Sequence, residues 1–169
     1  MTTRLVVSIL FLCLIIGCTA QKDDNKNTSL VEGKINNYLQ NKGYKVLAAD
    51  GKVEEYEISK QKLTQMPYMI YWGLQERDPI VYIDKKVEIY KYVVNNHPLD
   101  TYNPPGTKSQ RKTELFIYVI DGEIVGGTSY PKIEPEQDGG YWSLEGKTIE
   151  EVQKKDYETW RQEWLNKYK

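Results

Sequence analysis

Apolar and polar positions recur along the chain with two periods, and each change of period marks an element. In SLVEGKINNYLQNKG, Val31, Ile35, Tyr38 and Leu39 fall at helical spacing, which predicts one amphipathic helix. Ser29 and Glu32 stand at capping-box spacing at its start, and Gly43 follows as a stop. Beyond it the period shortens. YKVLAADGKVEEYEIS sets an Asp50-Gly51 pair between two strand-like runs, residues 44–49 and 53–58, and so predicts a hairpin. Ser59 opens a helix toward Met66, which Pro67 ends or restarts. Asp78 ahead of Pro79 starts one short helical turn. KKVEIYKYVVNNHP alternates β-branched and aromatic residues, the pattern of a long strand, and His97-Pro98 closes it. Residues 99–112 read as a loop with Pro104-Pro105-Gly106 at its tip. TELFIYVIDGEIVGGTSYP is a hairpin about Asp121-Gly122. Thr148 and Glu151 then cap a helix whose apolar stripe is Ile149, Val152, Trp160, Trp164 and Tyr168.

Two hairpins, with no alternating strand–helix units, predict the α+β class. The expected architecture is an antiparallel sheet built from hairpins, with an N-terminal and a C-terminal helix packed on one face of it. No internal repeat and no long linker divides the chain after Ser29.

The N-terminus follows different rules. Arg4 precedes an apolar run from Leu5 to Ile16, which falls short of the about 20 residues needed to span a bilayer. A charged start, a short apolar middle and small residues at the end describe a secretory signal. Ile15, Ile16, Gly17 and Cys18 match the lipobox pattern of bacterial lipoproteins: an aliphatic pair, a small residue, then cysteine. That resemblance implies cleavage before Cys18, a diacylglycerol thioether on its sulfur, usually an acyl chain such as palmitate on its amino group, and residence on the extracytoplasmic face of the cell membrane. Two or more acyl chains, at about 0.8 kcal/mol per buried methylene, anchor a protein where one does not. Thr19 to Thr28 is charged, amide-rich and free of aromatics, the composition of a flexible tether. The chain therefore divides into a lipoprotein signal peptide (1–17), a lipidated cysteine with its tether (18–28) and a single α+β domain (29–169).

Candidate chemistry narrows the picture further. Cys13 falls within the signal, so the mature chain holds no second thiol for a disulfide. The formal net charge is −1, which argues against nucleic acid as a partner. His97 is the single histidine; Asp100 three residues on could orient it, but its position ahead of Pro98 reads as a turn. No GxSxG elbow is present. Glu134, Glu136 and Asp138 alternate along a Pro/Gly-rich loop, a spacing that offers oxygens to calcium but lacks the full EF-hand pattern. The glycines of GGTSYP and DGGYWSLEGK lack the spacing of a phosphate loop, and GKT at residues 146–148 reads as helix capping. No cofactor, metal site or catalytic residue emerges.

Aromatic residues are the anomaly: 14 tyrosines and four tryptophans against two phenylalanines. Rings with polar tips suit recognition surfaces, and PYMIYWG and GGYW are the densest clusters. Tyr68, Tyr71, Trp72, Tyr141 and Trp142 are the candidate binding residues, for an envelope protein, a peptide or a glycan. The segments DGEIVGGTSYP, YWSLEGKTIEEV and YETWRQEW resemble a small extracytoplasmic domain of unknown function. That domain occurs in lipoproteins of low-GC Gram-positive bacteria and in the outer parts of sensor-type membrane metallopeptidases. The resemblance implies a non-catalytic binding, sensory or accessory module and supplies no catalytic residues. The alternative is a cell-envelope hydrolase that uses carboxylates or His97.

A lipidated Cys18 predicts that cells fed a clickable fatty acid label the wild-type chain and not Cys18→Ala. Equal labelling of both would remove the anchor.

Overall fold

The computed structural model describes residues 20–137 and 140–169, with side chains from residue 28 onward. The apolar N-terminal run, Cys18, Asp138 and Gly139 lie outside the described residues. Helix α1 (Ala20–Asn41) leads into strand β1 (Lys45–Glu57) and two short helices, α2 (Lys60–Leu63) and α3 (Tyr68–Gly73). Strand β2 (Lys86–Asn95), strands β3 (Lys108–Ile120) and β4 (Glu123–Glu134), and the two-residue β5 (Trp142–Ser143) follow. Helices α4 (Ile149–Gln153) and α5 (Tyr157–Tyr168) close the chain. The five strands pair in chain order, each antiparallel to its neighbour. This is the α+β class. Among the described residues no helix is long and apolar enough to cross a membrane.

Strand alternation divides the core in two. Tyr90, Tyr92 and Val94 of β2 and Leu115, Ile117 and Val119 of β3 lie on one face under Val31, Ile35 and Leu39 of α1. Val87 and Ile89 of β2 and Tyr118 and Ile120 of β3 lie on the other. There they meet Met69 and Trp72 of α3, Ile149 of α4, and Trp160, Trp164 and Tyr168 of α5. Helices thus cover both faces, where one face was expected. The reason is in the central strands: β2 and β3 carry apolar residues on both sides, and each side needs cover.

Three further expectations change. Asp50-Gly51 does not turn the chain back; β1 is one strand paired with β2 over its whole length. Gly51, at φ +74°, sits where the register shifts between Ala49 and Gly51, so the pair forms a bulge. β1 instead runs straight on against β2, from Lys45 opposite Asn95 to Glu57 opposite Lys86. Helix α1 begins at Ala20, so Ser29 lies inside it and the backbone of most of the supposed tether is helical. Once Val31, Ile35 and Leu39 dock on the sheet, each added turn avoids the cost of nucleation. The C-terminal helix is two helices. Lys154 leaves α4 in the left-handed region at φ 57°, and the Asp156 carboxylate caps α5 by accepting from Thr159 N at 3.0 Å.

The other local signals act as read. Ser59 Oγ accepts from Lys62 N at 3.2 Å to cap α2. Asp78 caps a short turn at Pro79–Tyr82. Thr148 and Glu151 form a capping box. Asp121 and Gly122, both at positive φ, turn β3 into β4.

One buried side chain ties α3 to the sheet. The Gln75 Oε1 accepts from Gly127 N at 2.9 Å, and its Nε2 donates to Gly127 O at 3.0 Å and to Tyr71 O at 2.6 Å. The carboxamide thus pairs with β4 as a strand residue would. A Cβ on Gly126 would collide with the Gln75 amide, and one on Gly127 would collide with Phe116 O and Leu144. Gly126 therefore makes room for Gln75, and Gly127 for the β3 backbone and Leu144.

Sheet edges are poor templates for strand addition. β5 is two residues long. β1 is exposed along much of its length and carries three register shifts together with Lys52, Glu54, Glu55 and Glu57. Bulges and charges of this kind blunt an edge.

Helix α5 is expected to carry a large share of stability. Trp164 is buried, packs at a tilt between Trp160 and Tyr168, and donates Nε1–H to Leu63 O at 2.6 Å. Trp164→Ala should cost about 3–5 kcal/mol, against a total of about 5–15 kcal/mol. The urea midpoint should fall far more than in Trp142→Ala, whose ring is half-buried. Equal small shifts would place α5 outside the cooperative core.

Candidate binding cleft

The helices on the second face cover one end of it. Along the same strands the face continues through Lys91 of β2, Glu114 and Phe116 of β3, and Tyr130 and Lys132 of β4, all of them half-buried. Register sets them side by side, with Lys91 opposite Phe116, Phe116 opposite Thr128 and Glu114 opposite Tyr130. Where the covered and uncovered parts meet, a cavity of about 70 Å³ opens between Glu54, Tyr71, Ile89, Phe116, Tyr118, Thr128 and Tyr141.

Tyrosines wall this cavity. Tyr71 and Tyr141 meet edge to face, 4.8 Å between centroids and 81° between planes. Tyr118 lies 6.5 Å from Tyr71, Tyr130 lies 6.3 Å from Tyr141, and Tyr68 and Tyr56 extend the row outward at 6.2 and 4.7 Å. Edge-to-face contacts of this type hold rings beyond what area burial supplies. Trp72 lies beneath: it is buried, and its Nε1–H donates to Tyr56 Oη at 3.0 Å. Tyr118 Oη and Thr128 Oγ1 share a hydrogen bond of 3.3 Å at the floor.

Of the five residues singled out from the sequence, Tyr71 and Tyr141 line the cavity and Tyr68 flanks it. Trp72 is corrected from a recognition residue to a core residue, because it faces inward from α3 with Met69. Trp142 stands apart, its ring 5.0 Å from Tyr102. Adjacent positions on an extended chain project to opposite sides, so Tyr141 and Trp142 do not share a surface. Glu54, Phe116 and Tyr118 were missed. Their signal was strand alternation, which places Glu114, Phe116 and Tyr118 on one face but does not say which face stays open.

Electrostatics at the cleft come from few groups. Burial raises the phenol pKa of Tyr56, Tyr71 and Tyr118, and the Glu54 carboxylate adds to the rise at all three. These hydroxyls stay protonated at physiological pH. Glu114 is clamped by Lys132 at 2.9 Å and Lys91 at 3.1 Å. Burial works against its charge, but the hydrogen bonds from the two lysines outweigh it and hold the carboxyl below its usual range. Lys91 also lies 3.7 Å from Asp50.

His97 belongs to the fold. It is buried; Nδ1 accepts from Leu99 N at 3.1 Å, which leaves Nε2–H to donate to Leu144 O at 3.0 Å. Asp100 accepts from the His97 backbone N–H and from Thr113 Oγ1, and so does not orient the ring. Glu134 and Glu136 are exposed, and Asp138 lies outside the described residues. Among the described residues no three His, Cys, Asp or Glu side chains gather in a metal-holding group.

Two roomier hollows, about 230 and 200 Å³, open on either side of Gln75, Glu76 and Arg77. The first mixes Glu76 and Glu145 with Arg77 and Lys147, and Lys42 already pairs with Glu145 at 2.9 Å. In the second, Asp78 is engaged by Lys167 and Tyr168. Neither presents a matched set of ring faces open to solvent. Compared with known proteins, no family model, curated protein or solved structure matches the chain.

The buried neutral His97 sets a pH dependence. Burial lowers its pKa from an unperturbed value of about 6.5. The unfolded chain then binds the proton more readily, so the stability that His97 confers is present above about pH 6.5 and is lost as pH falls through the folded pKa. The stability gap between wild type and His97→Gln should therefore narrow between pH 7.5 and pH 5. A gap that stays constant would mean that the ring is charged or free.

Proposed function

We propose that the chain is a lipid-anchored, extracytoplasmic module that binds or senses a component of the cell envelope and does no chemistry on it. The observation that carries this reading is the tyrosine-walled cleft on the half of the sheet face that no helix among the described residues covers. Aromatic residues with polar tips dominate recognition hot spots, and concave apolar sites with few polar groups are the usual ligand sites. Two of the groups a hydrolase could use are otherwise engaged. Both His97 ring nitrogens hold backbone groups, and two lysines clamp Glu114. The signal-like run and the lipobox at Cys18 supply the location. A face with blunted edges on either side favours a ligand laid into the cleft over an added strand.

A photo-crosslinking residue placed at Tyr141 in the full-length chain, expressed in its own cells, should give a discrete envelope adduct. The same residue at Lys34, on the opposite face, should not. No adduct at Tyr141, or cell-wall hydrolysis by the purified chain that Glu54→Gln abolishes, would overturn the reading.

A further inference from the structure

We propose that the cleft binds the alkylammonium head of its ligand, gripped by the rings of Tyr71, Tyr141 and Tyr118 with Glu54 at the rim. The inference rests on the binding-module reading and names the chemistry of its ligand. A cavity of about 70 Å³ is far below the roughly 300–1,000 Å³ of whole-ligand sites. It admits a head group of two or three heavy atoms' width and leaves the rest of the ligand outside. Its walls are aromatic, and ring faces carry negative charge that attracts a cation within about 6 Å of the centroid.

Glu54 supplies the full negative charge. It projects from β1 opposite Ile89 and lines the cavity. Its neighbour Glu55 takes both Lys52 and Lys86, whereas Glu54 forms no ion pair among the described residues. Its field reaches the hydroxyls of Tyr56, Tyr71 and Tyr118. A bare carboxylate beside desolvated phenols favours an incoming cation and disfavours an anion.

The protein's own lysines already show that this row of rings takes ammonium groups. Lys62 Nζ lies 4.7 Å from the centroid of Tyr68 and 5.5 Å from that of Tyr56. Lys91 Nζ lies 5.9 Å from that of Phe116, with its charge offset by Glu114 and Asp50. Both sit on the outer rings and the flank. Among the described residues no lysine or arginine reaches the faces of Tyr71, Tyr118 or Tyr141, and the inner place is left for a cation from outside.

The full-length chain in maltoside micelles would be titrated with choline, with n-butylammonium and with 3,3-dimethylbutan-1-ol, the neutral isostere of choline, at constant ionic strength. At least one of the two cations should bind, at least tenfold tighter than the alcohol; the tighter of the two separates a quaternary from a primary amine as the natural head group. Glu54→Gln, an exposed position, should weaken the cation about tenfold, leave the alcohol unchanged and leave the unfolding midpoint in place. Tyr71→Leu should weaken the cation with retention of the same midpoint within a few degrees. Equal binding of cation and alcohol would overturn the inference and leave the cleft as an apolar site. No binding of any probe, with the Tyr141 adduct still formed in cells, would overturn the cation chemistry alone. Loss of both would overturn the binding reading as well.

Discussion

The Gln75 carboxamide is the interaction on which the arrangement of the cleft depends. Among the described residues it is the one polar side chain that joins the helical layer to the central sheet through three backbone groups, Gly127 N, Gly127 O and Tyr71 O. An unmade hydrogen bond on a buried group costs about 1–3 kcal/mol, so a displaced Gln75 would strand several at once. The contact to Tyr71 O matters most for function. It fixes the last turn of α3 by its backbone, and with it the ring that forms one wall of the cleft. A side chain at Gly126 would collide with the Gln75 amide, and one at Gly127 with Phe116 O and Leu144.

From that constraint the division of the sheet face follows. The short helices α3, α4 and α5 gather their rings over Val87, Ile89, Tyr118 and Ile120 and go no further. Beyond them, Lys91, Glu114 and Lys132 lie on the strands as a clamped triad, which makes an uncovered sheet face compatible with water. The cleft lies at the seam between a dry aromatic core and this wet, charged surface. Such seams suit a residue like tyrosine, apolar along its ring and polar at its tip. The tyrosine excess of the chain is therefore divided between roles. Tyr90, Tyr92 and Tyr118 are buried, whereas Tyr68, Tyr71 and Tyr141 stand half-exposed at the seam.

Signals confined to a few neighbouring residues were the legible ones. Caps at Ser59, Asp78 and Thr148, the turn at Asp121-Gly122 and the apolar stripes of α1 and the C-terminal segment all stand where their local chemistry put them. Apart from the break between α4 and α5, which Lys154 and Asp156 set locally, the failures share a cause: each needed knowledge of a distant partner. Asp50-Gly51 carries turn chemistry, yet β2 lay ready to pair with both flanks, and the pair became a bulge. Trp72 and Trp142 belong to aromatic clusters in sequence, but burial depends on the layer above, and only Tyr71 and Tyr141 were brought together across the fold. The glycines at 126–127 carried no phosphate-loop spacing, and nothing near them in sequence pointed to Gln75, which lies 52 residues from Gly127.

The central claim is that Gln75 sets the cleft by holding Tyr71 against Tyr141. Ring-to-ring nuclear Overhauser contacts between Tyr71 and Tyr141, measured in wild type and in Gln75→Ala, test it directly, with contacts across β3 and β4 as the internal control for an intact sheet. The account predicts that the Tyr71–Tyr141 contact is strong in wild type and lost in the variant while the β3–β4 contacts persist. A Tyr71–Tyr141 contact of unchanged strength in a folded Gln75→Ala chain would contradict it.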